Sequence, residues 1–102
     1  MKELFVSRAA EADLLEIWSY IFERNESAAD RVIEEITAQF DLIAAHPHAG
    51  RRRPDVGTNY RSLPAGAYVV FYREMERRVE ISPVLHGARD TEAIFRPGGE
   101  ES

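Results

Sequence analysis

The chain has 102 residues, no cysteine, a hydrophobic content of 44%, a charged content of 30% and a formal net charge of -5. These values predict one small folded domain and exclude both disulfide bonds and thiolate chemistry. No stretch reaches the roughly 18 to 20 apolar residues that span a bilayer, and no basic segment followed by an apolar run marks export, so we expect a cytoplasmic protein with no membrane partner.

The charge is distributed unevenly along the chain. Residues 1–48 carry four basic and ten acidic side chains, residues 49–73 carry five arginines and one aspartate, and residues 74–102 carry four basic and seven acidic side chains. A nucleic-acid-binding protein usually presents a basic face with little opposing charge, so we expect no direct sequence-specific nucleic-acid binding. The arginine-rich segment is better suited to an acidic partner.

The N-terminal half predicts a strand followed by two helices. Residues 4–6 are a short apolar run typical of a strand, and Ser7 is a suitable N-cap for the next element. From residue 8 to about residue 24 apolar side chains recur at helical spacing, with Leu14, Trp18 and Ile21 on the stripe. Asn25 is a suitable terminator of that helix.

A second helix is predicted to follow at once and to end near residue 45, before Pro47. Ser27 and Asp30 form a variant of the capping box at its start. The apolar face of this helix consists of Val32, Ile36, Phe40 and Ile43. Two helices with so short a connection must form an antiparallel hairpin.

The second half predicts a loop and then an antiparallel meander of three strands. Residues 46–57 hold two prolines, two glycines and three consecutive arginines, a composition typical of a solvated surface loop. Strands are predicted at 60–63, 68–72 and 79–81, with turns at 64–66 and 74–78. Pro83 has no N–H to donate, so the last strand must bulge there or turn that nitrogen away.

With the helices on one sheet face, the fold class is an α+β two-layer domain over residues 1–96, followed by a flexible tail at 97–102.

Residues 83–90, Pro-Val-Leu-His-Gly-Ala-Arg-Asp, place an imidazole and a guanidinium where an apolar strand meets a glycine. His86 at that junction either contacts a partner or caps the strand end through a backbone hydrogen bond. Arg89 and Asp90 could pair with each other or with neighbouring residues, but for Asp90 we favour the role of N-cap of a short helix at 92–95.

The order and spacing of several motifs resemble those of ParE-type toxins of the ParE/RelE toxin superfamily. The motifs are Ala12-Asp13-Leu14, Glu16-Ile17-Trp18, Tyr20-Ile21, Ala28-Ala29 with Arg31, Pro47, Gly50-Arg51, Arg61, and the segments 68–72 and 84–90. The resemblance implies the toxin of a type II toxin–antitoxin pair, which a small ParD-like antitoxin neutralises by direct contact. It implies no cofactor.

Two activities occur in this superfamily: ParE-type members are described as inhibitors of DNA gyrase, whereas RelE-type members cleave messenger RNA on the ribosome. RNA cleavage needs a base, an acid and cations around one phosphate. RelE-like enzymes place an arginine after the central-strand tyrosine and often a tyrosine near the C-terminus, but here Val69 follows Tyr68 and residues 93–95 read Ala-Ile-Phe. We therefore favour a non-catalytic toxin that binds gyrase, through its A subunit. The alternatives are an endoribonuclease and a non-toxic binding protein of the same fold.

The resemblance and the residue pattern together give two predicted surfaces. The target-binding surface comprises Arg61, His86 and Arg89, which are also the catalytic candidates of the ribonuclease alternative. The antitoxin-binding surface comprises Leu15, Trp18, Phe22, Arg51 and Arg52. Trp18 lies on the apolar stripe and is the simplest candidate for the core, although an antitoxin helix could use a groove beside the hairpin.

His46 and His48 are two residues apart and raise the possibility of a metal site. The chain offers no cysteine and no carboxylate at ligand spacing beside them, so no metal is predicted.

Overall fold

The computed structural model describes residues 3–87 and arranges them as two helices on one face of a five-stranded sheet. The elements are β1 Glu3–Val6, α1 Arg8–Arg24, α2 Glu26–Ala45, β2 Arg51–Arg52, β3 Tyr60–Ala65, β4 Tyr68–Glu74 and β5 Arg78–His86. The predicted α+β class, with an N-terminal strand, a helix hairpin and a meander, is confirmed. The predictions for the helix at 92–95 and the tail at 97–102 lie outside the described residues.

The ends of α1 are those that the sequence predicts, whereas the start of α2 lacks the predicted side-chain cap. The Ser7 hydroxyl accepts a backbone N–H of the first turn at 3.0 Å, as predicted. Asn25 has an extended backbone and lies between the two helices, which confirms it as the terminator of α1. The predicted capping box of Ser27 and Asp30 is wrong, because α2 begins at Glu26 and the Ser27 hydroxyl donates to the Asn25 side chain at 3.1 Å.

The sheet has the order β1-β5-β4-β3-β2, in which β1 runs parallel to β5 and all other neighbours are antiparallel. The structure contains the predicted three-strand meander and one further strand, β2, within the segment that was predicted to be a loop. β3 continues through Pro64, predicted to be in a turn, and the turn begins at Gly66 with a positive φ of 64°. Because β2 pairs only with Arg61 and Ser62, Pro64 lies where β3 is an edge strand and its missing N–H is tolerated.

The last strand bulges at Pro83, which is one of the two alternatives that the sequence left open. Val70 pairs with Val84 and Tyr72 pairs with Ile81, so two residues of β5 oppose one residue of β4 between these pairs. The extra residue reverses the alternation of side chains along β5. As a result Ile81 and Val84, three positions apart, both join the core beneath the helices.

The core lies between the hairpin and one face of the sheet. Its buried members are Ala10, Ile36, Phe40, Ile43, Ala65, Val70, Tyr72, Val79, Ile81 and Val84. The predicted apolar face of α2 is confirmed, with Val32 at its margin. The predicted stripe of α1 is only partly correct: Leu14 and Ile17 pack against the core, whereas Trp18 is outside this cluster and its indole bonds Asp30.

The hydroxyl of Tyr72 connects the sheet to the loop that follows α2. It donates to the Pro47 carbonyl at 2.7 Å and accepts the Gly50 N–H at 2.8 Å. A Cβ on Gly50 would lie 2.5 Å from this hydroxyl oxygen, so no larger residue fits without a shift of the loop. Burial raises the pKa of Tyr72 above its ordinary value.

Replacing Tyr72 by phenylalanine should lower the free energy of unfolding at pH 7 by about 1–3 kcal/mol, because the buried Gly50 N–H loses its acceptor. Urea unfolding at pH 7 measures this change. Tyr20→Phe is the matched control, since Tyr20 is exposed on α1 and should tolerate the substitution. Equal stabilities of the two variants would contradict the structural role of the hydroxyl.

The raised pKa of Tyr72 also predicts a stability that depends on pH. The folded state retains the phenolic proton above about pH 10, where the unfolded chain has released it, so the free energy of unfolding falls as pH rises from there toward the folded pKa. We expect a shallower alkaline decline in Tyr72→Phe than in the wild type when unfolding is measured from pH 9 to 11. Parallel declines would mean that Tyr72 is not the responsible group.

Candidate functional site

His86 ends β5 and is held against the start of β4. It pairs with Tyr68, and the two rings meet edge to face with centroids 5.4 Å apart. The next residue, Gly87, donates its N–H to the Ala67 carbonyl at 2.8 Å. A Cβ at Gly87 would lie 3.3 Å from that oxygen and from a methyl group of Val69, so the close approach favours glycine. The imidazole therefore has a fixed place at this corner of the sheet.

Asp13 of α1 bonds the backbone of β5 beyond the point where β1 ends. The last contact of the β1 segment with β5 is the Ser7 N–H bonded to the Ile81 carbonyl at 3.1 Å. Three residues further along β5, the Val84 N–H donates to an Asp13 carboxylate oxygen at 3.0 Å. Val84 is only 2% exposed, so this N–H would otherwise be buried without an acceptor. Sequence reasoning placed Asp13 in a motif but assigned it no contact.

Arg61 lies at the other end of the sheet from His86. It pairs with Tyr72, four residues along β4 from Tyr68, and the two strands that carry Arg61 and His86 flank β4 on opposite sides. This register separates their backbones by about 13 Å along the strands and about 10 Å across them. The Arg61 guanidinium donates to the Gly50 carbonyl at 2.9 Å and more weakly to the His48 carbonyl at 3.4 Å. Arg89, the third predicted residue, lies outside the described range.

The three consecutive arginines have different surroundings. Arg51 pairs with Ser62 and Arg52 pairs with Arg61, so these two neighbours point to opposite faces of the sheet. The predicted solvated loop does not hold for Arg53, whose side chain is 14% exposed. Its guanidinium lies 5.1 Å from the centre of the Phe71 ring and makes two hydrogen bonds to Asp55, of 3.2 and 3.0 Å.

This Arg53–Asp55 pair lies on the sheet face away from the helices. The hydrogen bond from Arg53 lowers the pKa of the Asp55 carboxyl. A further bond joins Arg53 to the Ser62 hydroxyl at 3.2 Å. Arg53 thus covers Phe71 and is engaged within the protein, which distinguishes it from Arg51 and Arg52.

Apolar side chains remain exposed on the outer face of α1. Leu15 is 66% exposed and Phe22 is 37% exposed, and helical spacing places both on the side of Trp18. Trp18 stacks on Phe22 with ring centroids 4.6 Å apart, while its indole N–H donates to Asp30 of α2 at 2.9 Å. Because α1 packs on β5, this patch is remote from Arg51 and Arg52 on the opposite edge strand. The predicted antitoxin surface is therefore divided into two parts.

A cavity of about 230 Å³ opens beside the paired arginines of β2 and β3. Its lining residues are Arg52, Pro54, Gly57, Thr58, Asn59, Tyr60, Arg61 and Glu74. The Glu74 carboxylate meets the His48 ring nitrogen at 2.9 Å beside this cavity. Sequence reasoning missed the cavity, because its residues come together only through the pairing of β2 with β3.

Within residues 3–87 no three histidine or carboxylate side chains converge in a way that could hold a metal ion. His48 contacts Glu74, and no bond joins it to His46. Neither α1 nor α2 is long and apolar enough to cross a membrane.

Replacing Asp13 by alanine should lower the free energy of unfolding by about 1–3 kcal/mol, because the buried Val84 N–H loses its acceptor. Asp13→Asn should lose about 1 kcal/mol or less, since an amide oxygen can still accept this bond without the charge. Urea unfolding measures both variants, with the exposed Glu16→Ala on the same helix as the control. Asn as damaging as Ala would contradict acceptance of the N–H as the main role.

Comparisons with known proteins cover nearly the whole chain. A family model described as the ParE toxin of the type II toxin–antitoxin system parDE matches residues 4–91. Toxin ParE1 of Caulobacter vibrioides is 41% identical over 95 residues, which is 91% of this chain and 97% of that protein. Toxin ParE1 of Mycobacterium tuberculosis strain H37Rv is 34% identical over 89 residues, 85% of this chain and 91% of that protein.

A solved structure of the chromosomal ParDE TA system from P. aeruginosa has the same fold. It superposes with a TM-score of 0.74 at 20% sequence identity and covers 84% of this chain and 96% of that one. The likeness extends to the arrangement of a helix hairpin on a sheet.

Proposed function

The chain belongs to the ParE toxin family of type II toxin–antitoxin systems, and we propose that it inhibits DNA gyrase by direct binding and is neutralised by a cognate ParD-like antitoxin. The proposed partners are that antitoxin and the A subunit of gyrase, and the proposed place of action is the cytoplasm. The observation that carries the choice of binding over catalysis is the separation of Arg61 from His86 in the sheet.

A ribonuclease site would have to gather its groups around one phosphate. Attack by a 2′-hydroxyl needs a base within hydrogen-bonding reach and a cation on the developing phosphorane charge. Arg61 and His86 are separated by about 13 Å along the strands and by two strand spacings across them. Arg61 is also engaged with loop carbonyls. This geometry supports a contact surface and gives no support to a shared catalytic centre for the two residues.

The proposed gyrase-binding surface is centred on His86 and extends to Arg89, which follows three residues later in the sequence. The Tyr68 ring and the bond from Gly87 restrict the strand end that carries the imidazole. A side chain already held in place loses little conformational entropy on binding, which favours its use as a contact residue. Arg61 remains a predicted member, at the far end of the same sheet face.

The proposed antitoxin-binding surface has its apolar part on α1. Leu15, Trp18 and Phe22 present a stripe at helical spacing, which suits an amphipathic helix of the partner. Arg51 and Arg52 form its charged part at the opposite sheet edge. An antitoxin that uses both parts must extend across the toxin, so we propose a helix joined to an extended segment.

Replacing His86 by alanine, alone and together with Arg89→Ala, should raise the concentration that half-inhibits DNA supercoiling by about 10-fold to 100-fold, because a central contact is truncated. Supercoiling assays with purified gyrase measure this, with messenger RNA integrity followed in cells expressing the chain. Antitoxin affinity should stay unchanged, which controls for folding.

Three other outcomes would contradict this proposal. Rapid codon-linked RNA cleavage with normal supercoiling would indicate the ribonuclease. Unaffected growth with a confirmed folded product would indicate a non-toxic binding protein. Full inhibition by the His86 variants would mean that the surface lies elsewhere.

Leu15→Glu combined with Phe22→Glu should weaken antitoxin binding by about 100-fold, because two apolar contacts are replaced by charges that must be desolvated. Leu42→Glu, a similar change at a residue of α2 that is 39% exposed, is the matched control and should bind normally. Calorimetric titration with the antitoxin measures both. Equal losses in the two variants would contradict a site specific to α1.

A further inference from the structure

We propose that the cavity between β2 and β3 is a carboxylate-binding site, and that its ligand is an acidic side chain in the extended segment of the antitoxin. The site itself is inferred from the cavity and its charges, whereas the identity of the partner rests on the proposed function. Arg52 and Arg61 provide the cationic groups.

Two like charges face each other at the cavity. Arg52 and Arg61 stand directly opposite each other in an antiparallel ladder, where Cβ atoms lie about 4.5–5.5 Å apart and like charges destabilise the pairing. None of the ion pairs found among residues 3–87 includes either arginine, although Arg53 pairs with Asp55 and Arg73 with Glu80. An anion between Arg52 and Arg61 would remove this repulsion.

Polar residues line the cavity around Arg52 and Arg61. The lining includes Thr58, Asn59 and Tyr60, residue types whose hydroxyl or amide groups can donate to an oxyanion. Asn59 lies in the turn before β3 and has a positive φ of 65°, a conformation that asparagine adopts more readily than most non-glycine residues. A guanidinium can bind both oxygens of one carboxylate, which adds directional preference.

The charges around the cavity favour a ligand with a single negative charge. Glu74 lines the same cavity, so the site already contains one carboxylate beside the two guanidinium groups. The two guanidinium groups and Glu74 together carry a net charge of one positive unit, which a single added carboxylate would neutralise. A dianionic phosphate would leave an excess of negative charge. Residues 1–48 carry six more acidic than basic side chains and would also repel a polyanion such as nucleic acid.

The position of the cavity fits an extended peptide. β2 is an edge strand of only two residues, and Arg52 is exposed. A partner chain running along this edge can place one acidic side chain in the cavity while its backbone stays outside. The apolar patch on α1 is left for the helical part of the same partner.

The site can be tested on the full chain without any partner. Acetate is titrated while the backbone and arginine side-chain resonances of residues 52–61 are followed by NMR, and inorganic phosphate is titrated in parallel. We expect saturable shifts confined to these residues with acetate, and binding weakened about tenfold or more in Arg52→Gln. Arg8→Gln, which removes an exposed charge at the start of α1, should bind acetate like the wild type.

A stability measurement gives an independent readout of the charge pair. Arg52→Gln should raise the unfolding midpoint at low salt relative to Arg8→Gln, because it removes the repulsion from Arg61, and acetate should raise the midpoint of the wild type more than that of Arg52→Gln. No saturable shift, equal effects in the two variants, or tighter binding of phosphate than of acetate would overturn the carboxylate site.

The partner assignment is tested with the antitoxin itself. Each acidic residue of its extended segment is changed to the corresponding amide, and one such change should weaken binding to the wild type by about tenfold but have no further effect on Arg52→Gln. Additive losses at every acidic position would overturn the assignment to the antitoxin. Gyrase inhibition is not read in any of these measurements, so failure of the gyrase proposal would remain distinguishable.

Discussion

The hydroxyl of Tyr72 holds the loop between α2 and β2, and the position of β2 depends on this loop. By donating to the Pro47 carbonyl and accepting the Gly50 N–H, it attaches the loop after α2 to the middle of the sheet. Arg61 then binds the carbonyls of the same loop from the neighbouring strand. β2 begins directly after Gly50, so the positions of Arg52 and of the cavity depend on the phenol of Tyr72, which belongs to the central strand β4.

The other end of the sheet depends on a carboxylate. β1 is too short to accompany β5 over its full length, and Asp13 accepts the N–H of Val84 beyond the point where that strand stops. Side chains thus satisfy backbone groups in two places: Asp13 of α1 accepts the N–H of Val84 in β5, and Tyr72 of β4 bonds the loop after α2. The His86 surface and the arginine cavity therefore lie at opposite corners of the same sheet. The exposed apolar patch lies on α1, the helix that packs on β5.

Much of the fold could be predicted because its signals are local. The cap at Ser7, the break at Asn25, the proline after α2 and the bulge at Pro83 each depend on one residue and its immediate neighbours. Other features depend on distant partners. β2 forms by pairing with β3, the Trp18 indole donates to Asp30 of the other helix, and Arg53 covers the Phe71 ring eighteen positions away.

The site residues show the same division. His86 was identified from its position at a strand end, but nothing near Asp13 in sequence indicates a partner 71 residues away. Arg61 could be named as a cation, yet its loop bonds and its arginine neighbour follow only from the register.

The order of the sheet has a further consequence for synthesis on the ribosome. β1 is made first, but its strand neighbour among residues 3–87 is β5, so the helix hairpin can form early whereas these strands complete their sheet only after residue 86 has emerged. Incomplete chains therefore lack the finished His86 corner, and a nascent toxin acquires its proposed contact surface at the end of translation.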